Sequence, residues 1–259
     1  MFPIKDSIRI PFAPVVTYAL ILVNALVFFY QSSLSQSEAH AFAIDYALIP
    51  RRYFDPVWAA YTGLPGTDYL PFISGTFMHG GWWHLILNMW MLFIFGASLE
   101  GRVGRWQFLC FYLLCGVSAS YVHAWFNQLS DVPTLGASGA IAGVLGGYAT
   151  TFPRARLTIL ILIVVIPLFF RVPALFFALV WFGFQFAQGF IDLSGDANTG
   201  GGIAWWAHIG GFAAGVALIP LWRFAPDRTY DEAQPPRFLP PVATASPDAG
   251  RPWKPGPWG

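Results

Sequence analysis

Apolar residues in this chain run in long stretches with few polar interruptions, where a water-facing helix would show a stripe and a half-buried strand would alternate. The first run, 14–30, carries no charged residue. A helix needs about 20 mostly apolar residues to cross a hydrocarbon core, and fewer if it starts below the surface. Runs of this kind lie near 12–31, 80–99, 106–126, 138–153, 172–191 and 203–222. The pattern predicts an all-α membrane protein with six spans. The stretch 157–170 is as apolar as any of them, but it is interrupted by Pro167 and closed by Arg171-Val172-Pro173. It reads either as the start of a long or bent fifth helix or as a segment lying at the membrane interface.

Composition agrees with a lipid solvent. Only 10% of the 259 residues are charged, against roughly 25% in soluble domains. A net charge of +1 gives no support for a nucleic-acid partner. Cys110 and Cys115, inside one apolar run, read as small buried hydrophobes rather than a disulfide. Lys5 and Arg9 precede the first run as in a signal peptide, but that run exceeds the roughly 7–15 residues of such a core. It is therefore expected to be an uncleaved span.

With six spans, all of the 14 Lys and Arg residues except Arg51 and Arg52 fall on the side of the termini. The positive-inside rule then places both termini in the cytoplasm. A further full span at 157–170 would invert the later segments, so the charges favour six. The division expected is a cytoplasmic N-terminus at 1–11, a membrane domain at 12–225 and a Pro-rich, disordered cytoplasmic tail at 226–259. The simple six-span plan suits a bacterial plasma (inner) membrane. The long loop at 32–79, with aromatics, Gly and Pro over 53–69, suits an interfacial brace.

Polar residues within spans are costly and point to function. The fourth span opens Gly136-Ala137-Ser138-Gly139 and is rich in small residues, which suits close packing on neighbouring helices. From Ser138 to Phe152 it reaches only about 22 Å, short of a ~30 Å core. Its start should be recessed below the outer surface, with free N–H groups and the helix dipole favouring developing negative charge. Ser138 is thus a candidate nucleophile, although a helix-capping serine would look the same. His208 shares a helical face with Gly211 and Gly215, a face stripped of side chains that allows a backbone to approach. It is the candidate general base for Ser138. In the second span, His84 and Asn88 lie four apart and offer donors to an oxyanion, or act as interhelical hydrogen-bond glue. His79 precedes them as a supporting or interfacial residue. Asp131, Asp192 and Asp196 lie in loops and Glu100 at a span end, so a Ser–His dyad is expected rather than a triad with an acid. No His-Glu-x-x-His string suggests a metal.

These motifs together resemble the rhomboid intramembrane serine proteases. The resemblance is carried by His84-x-x-x-Asn88 with Gly96-x-x-Leu99-Glu100 after it, by Gly136-Ala137-Ser138-Gly139, and by Ala207-His208-x-x-Gly211-x-x-x-Gly215. It implies a six-transmembrane-helix rhomboid-like bundle, no cofactor or metal, and an active site opening to the outer side. It also implies substrates that are single-span membrane proteins in the lipid bilayer, and a fifth helix that moves aside to admit them. Many members carry a Trp-Arg pair in the first outer loop, where this chain has Arg51-Arg52. Two other classes compete. A non-catalytic relative that binds transmembrane helices for quality control is expected to lack the serine or the histidine. A transporter is expected to show repeated broken helices.

Overall fold

The computed structural model describes residues 2–10, 13–163, 166–194 and 204–222. The chain opens with a strand, β1 (Phe2–Lys5), and then enters helix α1 (Val15–Ser33). Only one face of α1 is covered, by Thr17, Leu20, Asn24 and Phe28 at three- and four-residue spacing. Its first N–H groups are capped from a distance. The Glu100 carboxylate accepts from Val16 N (3.0 Å), Thr17 N (2.7 Å) and Thr17 Oγ1 (2.8 Å), supplying partners that the helix itself lacks at that end.

Helix α2 (Gln36–Tyr46) starts with a capping box between Ser35 and Glu38, and short helical turns follow to Phe77. This loop is braced by its arginines. Arg52 is buried and donates to Asp68 (3.2 Å) and to the Pro65 carbonyl (3.1 Å). Arg51 pairs with Asp55 and lies 5.4 Å from the Trp58 ring centroid, a cation–π geometry.

Two long helices come next, α3 (Trp82–Val103), with a π-helical stretch at Leu92–Gly96, and α4 (Arg105–Phe126). Between them Gly104 has φ +97°, a conformation that L side chains rarely adopt. Cys115 on α4 is buried as expected, but Cys110 is exposed, turned to the opposite side of the helix. Helix α5 (Ser138–Thr151) is the centre of the bundle, with every residue from Gly139 to Ala149 buried.

The 157–170 stretch forms neither a helix nor an extension of one. It is a hairpin of β2 (Arg156–Ile163) and β3 (Ile166–Pro173), and β1 adds to β2 to make an antiparallel sheet in the order β1-β2-β3. Its composition explains the outcome. Half of β2 is β-branched, and Pro3, Pro167 and Pro173 all sit on the two edge strands, where a missing N–H is tolerated. Leu157 and Ile159 are fully buried against the bundle, while Leu162 faces outward. The expected N-terminal piece at 1–11 is therefore partly a strand.

Helix α6 (Ala174–Ser194) follows, then α7 (Trp205–Leu218). Among the described residues, four helices are long and apolar enough to cross a membrane: α1, α3, α4 and the Ala174–Ile191 part of α6. Helices α5 and α7 are shorter, at 14 residues each. The tail at 226–259 lies outside the described residues.

The tightest contact in the bundle is between α5 and α7. A Cβ on Gly211 would fall on the Gly139 carbonyl, and one on Gly215 on the Gly143 carbonyl. Gly146 is likewise closed by the Phe212 carbonyl at 2.6 Å. Only glycine on these faces permits backbone to meet backbone.

Candidate active site

Ser138 is the first residue of α5, directly after Ala137 at the N-cap. The segment leading to it is pinned from below. Leu48 and Thr134 exchange backbone hydrogen bonds at 3.0 and 2.7 Å, and Gly136 N donates to the Gly75 carbonyl at 2.9 Å. Gly136 itself has φ +135°, and a Cβ there would strike the His84 imidazole at 2.8 Å. Glycine thus serves two ends at this position, an unusual backbone and room for the histidine.

His208 lies in the first turn of α7. Its Nε2 is 2.8 Å from Ser138 Oγ. This distance is that of a hydrogen bond, and it is made possible by the glycine contacts that bring α5 and α7 together. The other ring nitrogen, Nδ1, is 2.7 Å from Oε1 of Gln185 on α6. The Trp181 ring, one turn earlier on the same helix, lies 5.8 Å from the imidazole.

His84 is in the first turn of α3 and its Nδ1 accepts from Gly80 N at 3.4 Å. The spot that a Gly136 Cβ would fill lies 2.9 Å from His84 Nε2 and 3.7 Å from Ser138 Oγ. Both side chains therefore border one small space, as a reacting carbonyl oxygen requires. Asn88, one turn further along α3, is buried and its amide nitrogen has no hydrogen-bond partner among the described residues. His79 is also buried, and its ring lies 5.1 Å from that of His84. It backs His84, and among the described residues no hydrogen bond joins it to the Ser138–His208 pair. A cavity of about 30 Å³, lined by Thr76, Ser120, His123, Gly136 and Ser138 among others, opens beside the serine. This is room enough for a water with polar partners.

The structure thus brings together Ser138 and His208, sets His84 at the same space, and packs Gly136, Gly139, Gly211 and Gly215 around them. Sequence reasoning missed Gln185 and left the histidine's far nitrogen without a partner. One signal was present: two amides, Gln185 and Gln188, in the Phe-rich run of α6, polar residues within a span that need a reason.

Comparison with known proteins bears on the same region. The family model described as Rhomboid domain matches residues 66–223. The chain is 29% identical over 203 residues to "Rhomboid protein 1, mitochondrial" of Saccharomyces cerevisiae, covering 77% of this chain and 51% of that protein. It is 38% identical over 101 residues to "Presenilin-associated rhomboid-like protein A, mitochondrial" of Danio rerio, covering 38% and 26%. The human "Presenilin-associated rhomboid-like protein, mitochondrial" is 35% identical over 107 residues, 39% of this chain and 28% of that protein. The matched stretches thus span at most about half the length of these relatives. Their names correct the expected compartment. All three are mitochondrial proteins, which overturns the assignment to a bacterial plasma membrane. Hydropathy and loop charge read orientation and span number alone, and membranes of different origin obey the same rules.

Proposed function

The chain belongs to the rhomboid family, and from that premise we propose that it is an intramembrane serine endopeptidase acting by a Ser138–His208 dyad. The observation that carries the reading is the 2.8 Å approach of His208 Nε2 to Ser138 Oγ. In this reading α5 and α7 join the four longer helices as shorter spans, making six. The membrane is a mitochondrial one, as for the named relatives. Substrates are single-span membrane proteins, cleaved in or beside their transmembrane segments.

Ser138 Oγ attacks the scissile carbonyl carbon while its proton passes to His208 Nε2. The negative charge gathers on the former carbonyl oxygen, in the space bordered by His84 Nε2. The N–H of Ser138 at the start of α5 and the unpaired Asn88 amide complete the donor set. Collapse expels the amine, which takes the proton back from His208. Water then enters as the second nucleophile, and His208 again accepts its proton as the acyl ester is hydrolysed. The cavity beside Ser138 suits that water.

The test is cleavage of a labile transmembrane substrate by the purified protein in detergent. Ser138→Ala and His208→Ala should each abolish cleavage while leaving the thermal unfolding transition in place. Undiminished cleavage by Ser138→Ala overturns the mechanism.

A further inference from the structure

We propose that Gln185 is the positioning residue of the dyad, holding His208 in the one tautomer that can take the serine proton. The inference rests on the protease reading above and assigns the part that an acid plays in a triad to a neutral amide on α6.

A neutral imidazole carries a single N–H. Only the form protonated at Nδ1 leaves a lone pair on Nε2 facing Ser138 Oγ–H. The form protonated at Nε2 would donate to Ser138 Oγ and could accept nothing from it. Among the described residues, the partner of Nδ1 is Gln185 Oε1, at 2.7 Å. A carbonyl oxygen there can only accept, so it selects Nδ1–H and frees Nε2. When His208 becomes an imidazolium, the same oxygen faces its charged N–H with the negative end of a dipole.

The surroundings explain why an amide serves in place of a carboxylate. Gln185 is 5% exposed, and α6 is an apolar helix suited to lipid. An ionised acid at that depth carries a large desolvation cost, while an amide with a hydrogen-bond partner does not. Gln185 also shares a helical face with Trp181, whose ring flanks the imidazole. Two side chains of α6 thus meet the histidine, Trp181 with its ring tilted beside the imidazole and Gln185 at its nitrogen.

Three variants test the assignment: Gln185→Met, of similar shape but without the acceptor; Gln185→Glu, which restores an acceptor oxygen; and Gln185→Asn, which draws the amide back by one methylene. Each is measured for kcat and KM on the detergent-solubilised protein with a labile transmembrane substrate, beside its melting temperature. The expected result is a fall in kcat of about tenfold or more for Gln185→Met, with KM within about twofold. Gln185→Glu should recover most of that loss. Should Gln185→Met fail to fold, Gln185→Asn reads the same fall in kcat. Wild-type kcat in Gln185→Met, or in Gln185→Asn where that variant is the one read, overturns the inference. So does a folded Gln185→Glu as slow as the variant without an acceptor. These outcomes leave the dyad standing if Ser138→Ala is inactive; cleavage by Ser138→Ala sinks the protease reading itself.

Discussion

The side-chain nitrogen of Asn88 is buried and unpaired among the described residues, and a donor left in that state costs roughly 1–3 kcal/mol of stability. That cost is accounted for if an oxyanion meets the nitrogen only during reaction. Asn88→Ala is then expected to fold at least as well as wild type and to lose about 10²-fold or more in kcat. Melting temperature and kcat measured side by side check both halves, and an unchanged kcat removes Asn88 from the donor set. The meeting of Ser138 and His208 was legible in sequence because each sits in a string with its own physical signature, a run of small residues or glycines at +3 and +7. Gln185 was not. Gln185 and Gln188 lie three apart in one apolar helix, neither carries a mark of the direction in which it points, and only the packing of α6 beside α7 gives Gln185 its partner.

Glycine spacing on the elements α5 and α7 foretold a close approach, and the hydropathy runs foretold the helices. What they could not foretell is the sheet, since a continuous apolar run fits a buried strand and a membrane helix equally well. The β-branched residues of β2 and the prolines of β3 were the available signs, and they acquire meaning only once β1 supplies a third strand. At this scale the helix contact itself can be tested. Gly211→Ala would press a methyl group onto the Gly139 carbonyl, and overpacking of this kind costs about 1–3 kcal/mol. Gly183→Ala, on α6 with nothing within 4 Å of the added carbon, should be neutral or stabilising by up to about 1 kcal/mol. Thermal unfolding of the two variants in one detergent decides it. Equal melting temperatures would mean that the α5–α7 contact yields without cost.

The molecule as a whole is tied together by residues far apart in sequence. Asp6 accepts from Ser98 Oγ at 2.6 Å and from Tyr148 OH at 3.0 Å, joining the N-terminal segment to α3 and α5. Burial raises its pKa above the ordinary carboxylate value, outweighing those two hydrogen bonds. The folded protein therefore holds this proton more tightly than the unfolded chain does. The contribution to stability is full below the unfolded value of about 4 and is lost as pH rises through the raised folded value. Asp6→Asn keeps an acceptor and removes the charge. It is expected to melt higher than wild type at neutral pH, with the difference closing as pH falls toward about 4. A difference that stays constant with pH would exclude titration of Asp6 as its source.

Glu100 gives this long-range tying a direction in time. Its carboxylate lies 83 residues beyond Thr17, whose backbone N–H it receives. A ribosome finishes α1 well before it reaches the codon for that carboxylate, so a chain made only as far as α1 has those donors uncapped. The start of α1 is left to water until Glu100 of α3 is in place. Chains halted short of residue 100 would hold a first helix that is made but not yet fastened.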